Sequence, residues 1–265
     1  HIIDTEHYRR VEEGLKYVAW RNNTWSVHVH VGVRGADRAV RVCDRLRPVL
    51  PMLLAISANS PFVDCRDSGL HSARTQIFTK SFPRCGIPDA FGSWAAWASY
   101  VDLLRRTGSI IEFTQLWWSV RPHHEFGTVE VRVCDVQSTA READALAELI
   151  VACVARAAAE VDAGETPPPV PARLIEENVW RAVRHGLDGQ LLDLEGEPVT
   201  EFPAAEAAER LAAWAGIDRV DLPELNGAQR QRRLIDSGAA PAEVYAECVR
   251  ETHATYVTQE VPRHD

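Results

Sequence analysis

The chain has 265 residues, 46% hydrophobic and 25% charged, which is enough to bury a sizeable core and excludes wholesale disorder. No window reaches the ~18 uninterrupted apolar residues that a membrane helix needs, and His1-Ile2-Ile3-Asp4 is not a basic-plus-apolar leader. The formal charge of −9 is uneven: residues 1–135 hold 17 Lys+Arg against 14 Asp+Glu, and residues 136–265 hold 12 against 24, so the first part suits an anionic small ligand and the second does not suit nucleic acid.

Tyr8, Val11, Leu15 and Val18 recur at helical spacing and predict a helix over 5–21, ended by Asn22-Asn23. Trp25 to Val33 alternates valine with polar residues and predicts a strand. Asp37 is placed to cap a helix running toward Ala55, interrupted at Pro48 and Pro51. Residues 57–92, punctuated by Pro61, Gly69, Pro83, Gly86 and Pro88, read as a long irregular loop of the functional kind. Ser93 caps a helix carrying Trp94, Trp97, Val101 and Leu104, stopped at Gly108. Short strands follow at Leu116–Val120 and Thr128–Val133, and then Thr139-Ala140-Arg141-Glu142 opens a helix to about Val161 with a capping box.

Pro167-Pro168-Pro169 with Pro171 forms a stiff connector. Beyond it the pattern predicts helices near 173–186, 204–215, 226–236 and 241–257, with a hairpin around Glu195-Gly196-Glu197. The expected organisation is one domain over 1–265, with a sheet-bearing core in 1–163 and a mainly helical part in 164–265. Strands first and helices later, without β-α-β alternation, predict an α+β fold whose sheet has one wet face. The six cysteines form no C-x-x-C pair and read as free thiols of a reducing, cytoplasmic compartment.

Two strands hold the strongest chemical signal. His28 and His30 lie two apart and share one face, while Val27, Val29 and Val31 point to the other. Glu130 and Arg132 share a face opposite Val129, Val131 and Val133, and Asp135 is read as extending their row. If the strands join one sheet, its polar face gathers two imidazoles, a carboxylate and a guanidinium. Imidazole plus carboxylate suits a divalent cation, and arginine suits phosphate or carboxylate. Arg74, in the polar segment His71-Ser72-Ala73-Arg74-Thr75-Gln76, reads either as a carboxylate grip or as a surface arginine. Trp117 and Trp118 read as core residues rather than nucleobase platforms, and His123 and His124 as loop histidines. The basic start Gln229-Arg230-Gln231-Arg232-Arg233 reads as salt-bridged to neighbouring carboxylates. An H-x-H pair also opens many zinc hydrolases, for which His71, His123, His124 and His185 are the further candidates. No P-loop, G-x-G-x-x-G, G-x-S-x-G or H-E-x-x-H occurs.

At these motifs the sequence resembles the carboxylate–amine ligases, or type 2 glutamate–cysteine ligases. The matching pieces are H-V-H-V-G at 28–32, L-R-P-V-L-P at 46–51, L-L-A-I-S-A-N-S-P-F at 53–62, D-S-G-L-H-S-A-R-T-Q-I-F at 67–78 and F-G-S-W at 91–94. They continue with W-W-S-V-R-P at 117–122, T-V-E-V-R-V-C-D at 128–135, E-N-V-W-R-A-V-R-H-G-L at 177–187 and Q-R-Q-R-R at 229–233. The resemblance implies a glutamine-synthetase-like curved antiparallel sheet with helices packed on one face. It implies a cytoplasmic enzyme using ATP with Mg²⁺ or Mn²⁺ to join glutamate, or a similar carboxylate, to an amine such as cysteine through an acyl phosphate. By the match, His28 and Glu130 are metal ligands, His30 and Arg132 contact nucleotide, Arg132 and Glu130 are the catalytic pair, and Arg74 holds the α-carboxylate of glutamate. Members carry further acidic strands ahead of the first histidine strand, so the chain is expected to be N-terminally incomplete, with an open sheet edge that suits self-association. Neither a nucleic-acid nor a membrane partner is expected. The alternative is a non-catalytic remnant or scaffold that binds nucleotide weakly at most.

Overall fold

Thr5 starts the first element: its hydroxyl accepts from the Tyr8 amide and caps helix α1 (Glu6–Leu15). The computed structural model describes residues 4–21 and 24–257. The helix expected to reach Arg21 stops earlier. Lys16 takes a left-handed φ of 54°, and Lys16–Arg21 tightens into 3-10 geometry. Its expected terminator, Asn22-Asn23, lies outside the described residues. Strand β1 covers only Val29–Gly32, because its ladder partner is equally short, and a lone bridge joins Ser26 to Asp135.

Helix α2 (Ala36–Leu46), a 3-10 turn at Arg47–Val49 and α3 (Leu50–Ser57) follow, broken at the two prolines as expected. Both prolines stand in first turns, where a missing N–H is tolerated. Asp37 does not cap α2, because Gly35 occupies that position; its carboxylate instead accepts from the Trp94 amide at 2.7 Å.

The stretch expected to be irregular is more ordered than that. It contains a tight hairpin of β2 (Phe62–Val63) and β3 (Arg66–Asp67), helix α4 (Ala73–Ser81) and strand β4 (Cys85–Gly86). Helix α4 escapes periodicity because it has no apolar stripe; it is nucleated by Ser72, whose hydroxyl accepts from the Thr75 amide at 3.3 Å. Helix α5 (Trp94–Arg106) begins at its Ser93 cap. The single strand expected at Leu116–Val120 is two: β5 (Trp117–Trp118) runs parallel to β4, and β6 (Val120–His123) pairs antiparallel with β7 (Thr128–Val131).

Helix α6 (Ala140–Ala163) opens on the Thr139–Glu142 capping box and ends at Gly164 in the left-handed region. After the proline run come α7 (Ala172–His185), the hairpin β8 (Gln190–Asp193) and β9 (Thr200–Pro203), α8 (Ala207–Ala215), α9 (Gly227–Asp236) and α10 (Pro241–Val257).

The central sheet has the order β1-β7-β6, antiparallel throughout, and the fold is α+β. Val129, Val131 and Val133 face one main core with α2, α3 and α6, whose Leu46, Leu54, Leu146 and Ile150 are fully buried. Each such side chain stabilises the fold by roughly 1.5–3 kcal/mol. Ala182 and Val183 of α7, Leu191 and Leu211 belong to the same cluster, so the region after the prolines shares one core with the region before them. The start of α9 locks onto the end of α3. The Asn226 side chain donates to Ala55 O at 2.8 Å, the Ala228 amide to Ala58 O at 2.9 Å, and Gln231 to the Asn59 side chain at 2.7 Å. Gly227 has no room for a side chain: a Cβ there would stand 1.7 Å from Asn59 Oδ1.

Candidate active site

The register of the central sheet assembles the polar face. His30 of β1 stands opposite Glu130 of β7, and Glu130 stands opposite Arg121 of β6. His28, two residues before His30, and Arg132, two residues after Glu130, complete the group. The face read from period-two alternation is therefore present: Glu130 Oε1 lies 3.5 Å from both His28 Nδ1 and His30 Nε2, and it accepts from Arg132 Nη1.

Glu130 is 2% exposed and doubly clamped. Arg121 Nε donates to its Oε2 at 2.6 Å, and Arg121 Nη1 donates to the carbonyls of Thr114 and Leu116 at 2.7 and 2.8 Å. Burial raises the carboxyl, but the charges and hydrogen bonds of Arg132 and Arg121 outweigh it and hold the pKa at about 2. Burial, then the neighbouring Arg132, lowers His28 to about 3, against the smaller pull of Glu130. The neutral ring takes one tautomer: Nε2 donates to Ser26 Oγ at 2.8 Å, and Nδ1 accepts from Arg132 Nη1 at 3.3 Å. His30 Nδ1 meets Thr128 Oγ1 at 2.9 Å.

Arg74 is buried rather than on the surface, at 8% exposure. Its Nη1 and Nη2 donate to the carbonyls of Val133 and Arg132 at 2.9 and 3.2 Å, and its guanidinium lies over the Phe78 ring. His28, Arg74, Arg121 and Arg132 line one cleft of about 420 Å³, closed on one side by Tyr8 and Val11 of α1 and on another by Trp117. A neighbouring cavity of about 290 Å³ shares Arg74 with it and reaches Asn59, Ser60 and Asp135.

Three residues, Arg121, Asp135 and His123, stand elsewhere than the sequence predicts. Arg121 stands in the sequence only as part of the W-W-S-V-R-P motif, although the alternation of Val120-Arg121-Pro122-His123 puts it on the polar face. Asp135 does not extend that face, because it is out of phase with Glu130 and Arg132, sharing the parity of Val131 and Val133. It is 1% exposed and accepts from the Asn59 amide at 2.9 Å, Ser60 Oγ at 2.7 Å and Ser72 Oγ at 2.8 Å, with Arg74 Nη1 at 4.0 Å. It is the anchor that ties Asn59 and Ser60 to Ser72, the cap of the helix that carries Arg74. His123 is not a loop residue either: it ends β6, buried, with its ring stacked on Phe126. Trp118 is a core residue as read, whereas Trp117 borders the cleft. The basic start of α9 is salt-bridged as read, with Arg230 on Glu142 and Arg232 on Asp67.

Among the described residues, no three His, Cys, Asp or Glu side chains converge to hold a metal ion. The pair implied as ligands does not fit a cation as it stands. The Nδ1 lone pair of His28 is taken by Arg132, and both oxygens of Glu130 are taken by guanidiniums. A zinc centre built on His28 and His30 likewise finds no third and fourth ligand among the described residues.

The pH dependence of stability follows from these shifts. Glu130 has its pKa lowered from 4.5 and His28 from 6.5, so the unfolded chain binds protons first. The His28 contribution is complete above about pH 6.5 and is lost as pH falls toward 3; that of Glu130 is complete above about 4.5 and is lost toward 2. Thermal melts at pH 7 and pH 5 are expected to differ, and the difference is expected to shrink in His28→Gln. An unchanged difference would assign the effect to other groups.

The glutamate–cysteine ligase family 2 model matches residues 1–261. The chain is 42% identical over 226 residues to "Putative glutamate--cysteine ligase 2-2" of Rubrobacter xylanophilus, covering 84% of this chain and 58% of that protein. It is 41% identical over 233 residues to "Glutamate--cysteine ligase" of Natronomonas pharaonis, covering 87% and 63% respectively. The chain thus spans about three-fifths of the length of these relatives. With a match over nearly all its residues, the chain belongs to glutamate–cysteine ligase family 2.

Proposed function

We propose that the chain forms the catalytic face of an ATP-dependent carboxylate–amine ligase of glutamate–cysteine type. The observation behind this reading is the cleft where three buried arginines and a neutral histidine meet beside one sheet face of a member of this family. In this reading the three strands belong to a glutamine-synthetase-like curved sheet, residues 1–163 form its core, 164–265 buttress it, and the six unpaired thiols suit the cytoplasm.

A carboxylate oxygen of glutamate attacks the γ-phosphorus of ATP and ADP leaves. The amine nitrogen then attacks the acyl carbon and inorganic phosphate leaves. Arg74 orients the α-carboxylate, Arg132 offsets charge on the transferring phosphoryl group, and His30 borders the nucleotide. Catalysis is positioning and electrostatics, so no nucleophilic side chain is needed. Bound Mg²⁺ or Mn²⁺ would neutralise phosphate oxygens; since His28 and Glu130 do not fit a cation as they stand, no step is assigned through it. That misfit is also what favours the second reading, a non-catalytic scaffold.

The test is ADP release from ATP, glutamate and a panel of amines by a protein that joins this chain to the rest of the length its relatives have. Amine-dependent release is expected, falling by about 100-fold or more in Arg132→Met. No amine-dependent release would leave the scaffold reading standing.

A further inference from the structure

The guanidinium Nε atoms of Arg74 and Arg132 are buried and have no hydrogen-bond partner among the described residues. Both side chains are nine-tenths or more buried, and both residues line the same cleft. A buried donor without a partner costs roughly 1–3 kcal/mol, more when charged, and both of these donors belong to guanidinium groups whose residues border the one cleft. The charge points the same way: three guanidiniums, of Arg74, Arg121 and Arg132, stand against two carboxylates, of Glu130 and Asp135. Glu130 faces the guanidiniums and keeps both oxygens on them.

From this geometry we infer that the cleft floor is an oxyanion site, closed by Arg74 and Arg132 together, that binds its ligand without a bridging divalent cation, and that Glu130 is a positioning residue for Arg121 and Arg132 rather than a metal ligand. The inference rests on the ligase reading only for which oxyanions are relevant, phosphate or carboxylate. Arg121 is tied at one end to the carbonyls of Thr114 and Leu116, so the Glu130 carboxylate transmits a fixed position to Arg132. His28 supplies a second restraint, its Nδ1 accepting from the same Arg132 nitrogen.

The experiment is calorimetric titration of the 265-residue chain with inorganic phosphate, glutamate and tripolyphosphate, each in EDTA and each in excess Mg²⁺. At least one oxyanion is expected to bind in EDTA, with an affinity that Mg²⁺ changes by less than about twofold and that Arg132→Met or Arg74→Met lowers by about tenfold or more. Phosphate binding without glutamate binding, or the reverse, identifies the source of the oxyanion. If a methionine variant does not fold, Arg132→Lys serves. It keeps the charge but not the planar fork, and the same loss is expected. Mn²⁺ titrated alone and followed by its electron paramagnetic resonance signal is expected to stay free at millimolar protein, in wild type and in Glu130→Gln alike. Oxyanion binding that requires Mg²⁺ and disappears in Glu130→Gln overturns the inference and leaves the ligase reading intact, and so does the absence of any binding in EDTA. Binding in EDTA together with no amine-dependent ADP release in the longer protein upholds the inference and removes the ligase reading.

Discussion

Glu130→Ala is expected to destabilise the fold by roughly 3–5 kcal/mol, because it leaves the guanidiniums of Arg121 and Arg132 without their shared carboxylate in a buried place. For a chain of this size that is a Tm fall of about 10 °C. The cost is that of two stranded charges, not the net worth of the pairs, since burying an ion pair already costs desolvation. Glu130→Gln should lie between wild type and alanine, because the amide oxygen still accepts from one guanidinium while its NH₂ group faces the other. Urea and thermal melts of the three proteins measure this. A loss below about 1 kcal/mol in the alanine variant would mean that the arginines find other acceptors.

Asp135→Ala is expected to cost a similar amount, roughly 3–5 kcal/mol, by another route. The Asn59 amide, Ser60 Oγ and Ser72 Oγ lose their acceptor, each at roughly 1–3 kcal/mol when left unsatisfied, though relaxation recovers part of the sum. Arg74 loses the carboxylate 4.0 Å away. The effect is also local. The Arg74 amide donates to Ser60 Oγ at 3.0 Å, so amide exchange at Asn59 and Arg74 should accelerate well beyond the global loss of stability. Exchange that rises only in step with global unfolding would show that Asp135 stabilises the core without holding this corner.

What could be read from the chain depended on whether a residue's environment has a period. His28 and His30 against Val27, Val29 and Val31, and Glu130 and Arg132 against Val129, Val131 and Val133, obey the strand period. That the two strands pair, with His30 opposite Glu130, came only from the structure. Capping chemistry was equally local, and Ser93 and Thr139 start their helices where expected. Arg121 escaped because its strand is four residues long, contains Pro122 and follows directly on another strand. Asp135 was misassigned against the period itself: it is odd-numbered like Val129, Val131 and Val133, so strict alternation sets it opposite Glu130 and Arg132, and its place is fixed by a bridge to Ser26. Helix α4 was hidden because Ser72 and Asp135, distant in sequence, hold its first turn through hydrogen bonds that leave no hydrophobic pattern. The family came from motif order over the whole chain, not from any of these periods.

The proline segment at 167–171 resembles a border in the sequence, yet the shared core makes it a strap. Leu53 and Leu54 of α3, and Ile150 and Val154 of α6, are covered in part by Ala182, Val183 and Leu211 from beyond it. A single peptide bond cut in the strap would leave both fragments gripping each other through that common interior and through the α3–α9 junction. Residues 1–163 made alone would present those leucines and valines to water. Shortened versions of this protein should therefore keep everything through α9, and an insertion tag belongs in the strap rather than at either side of it.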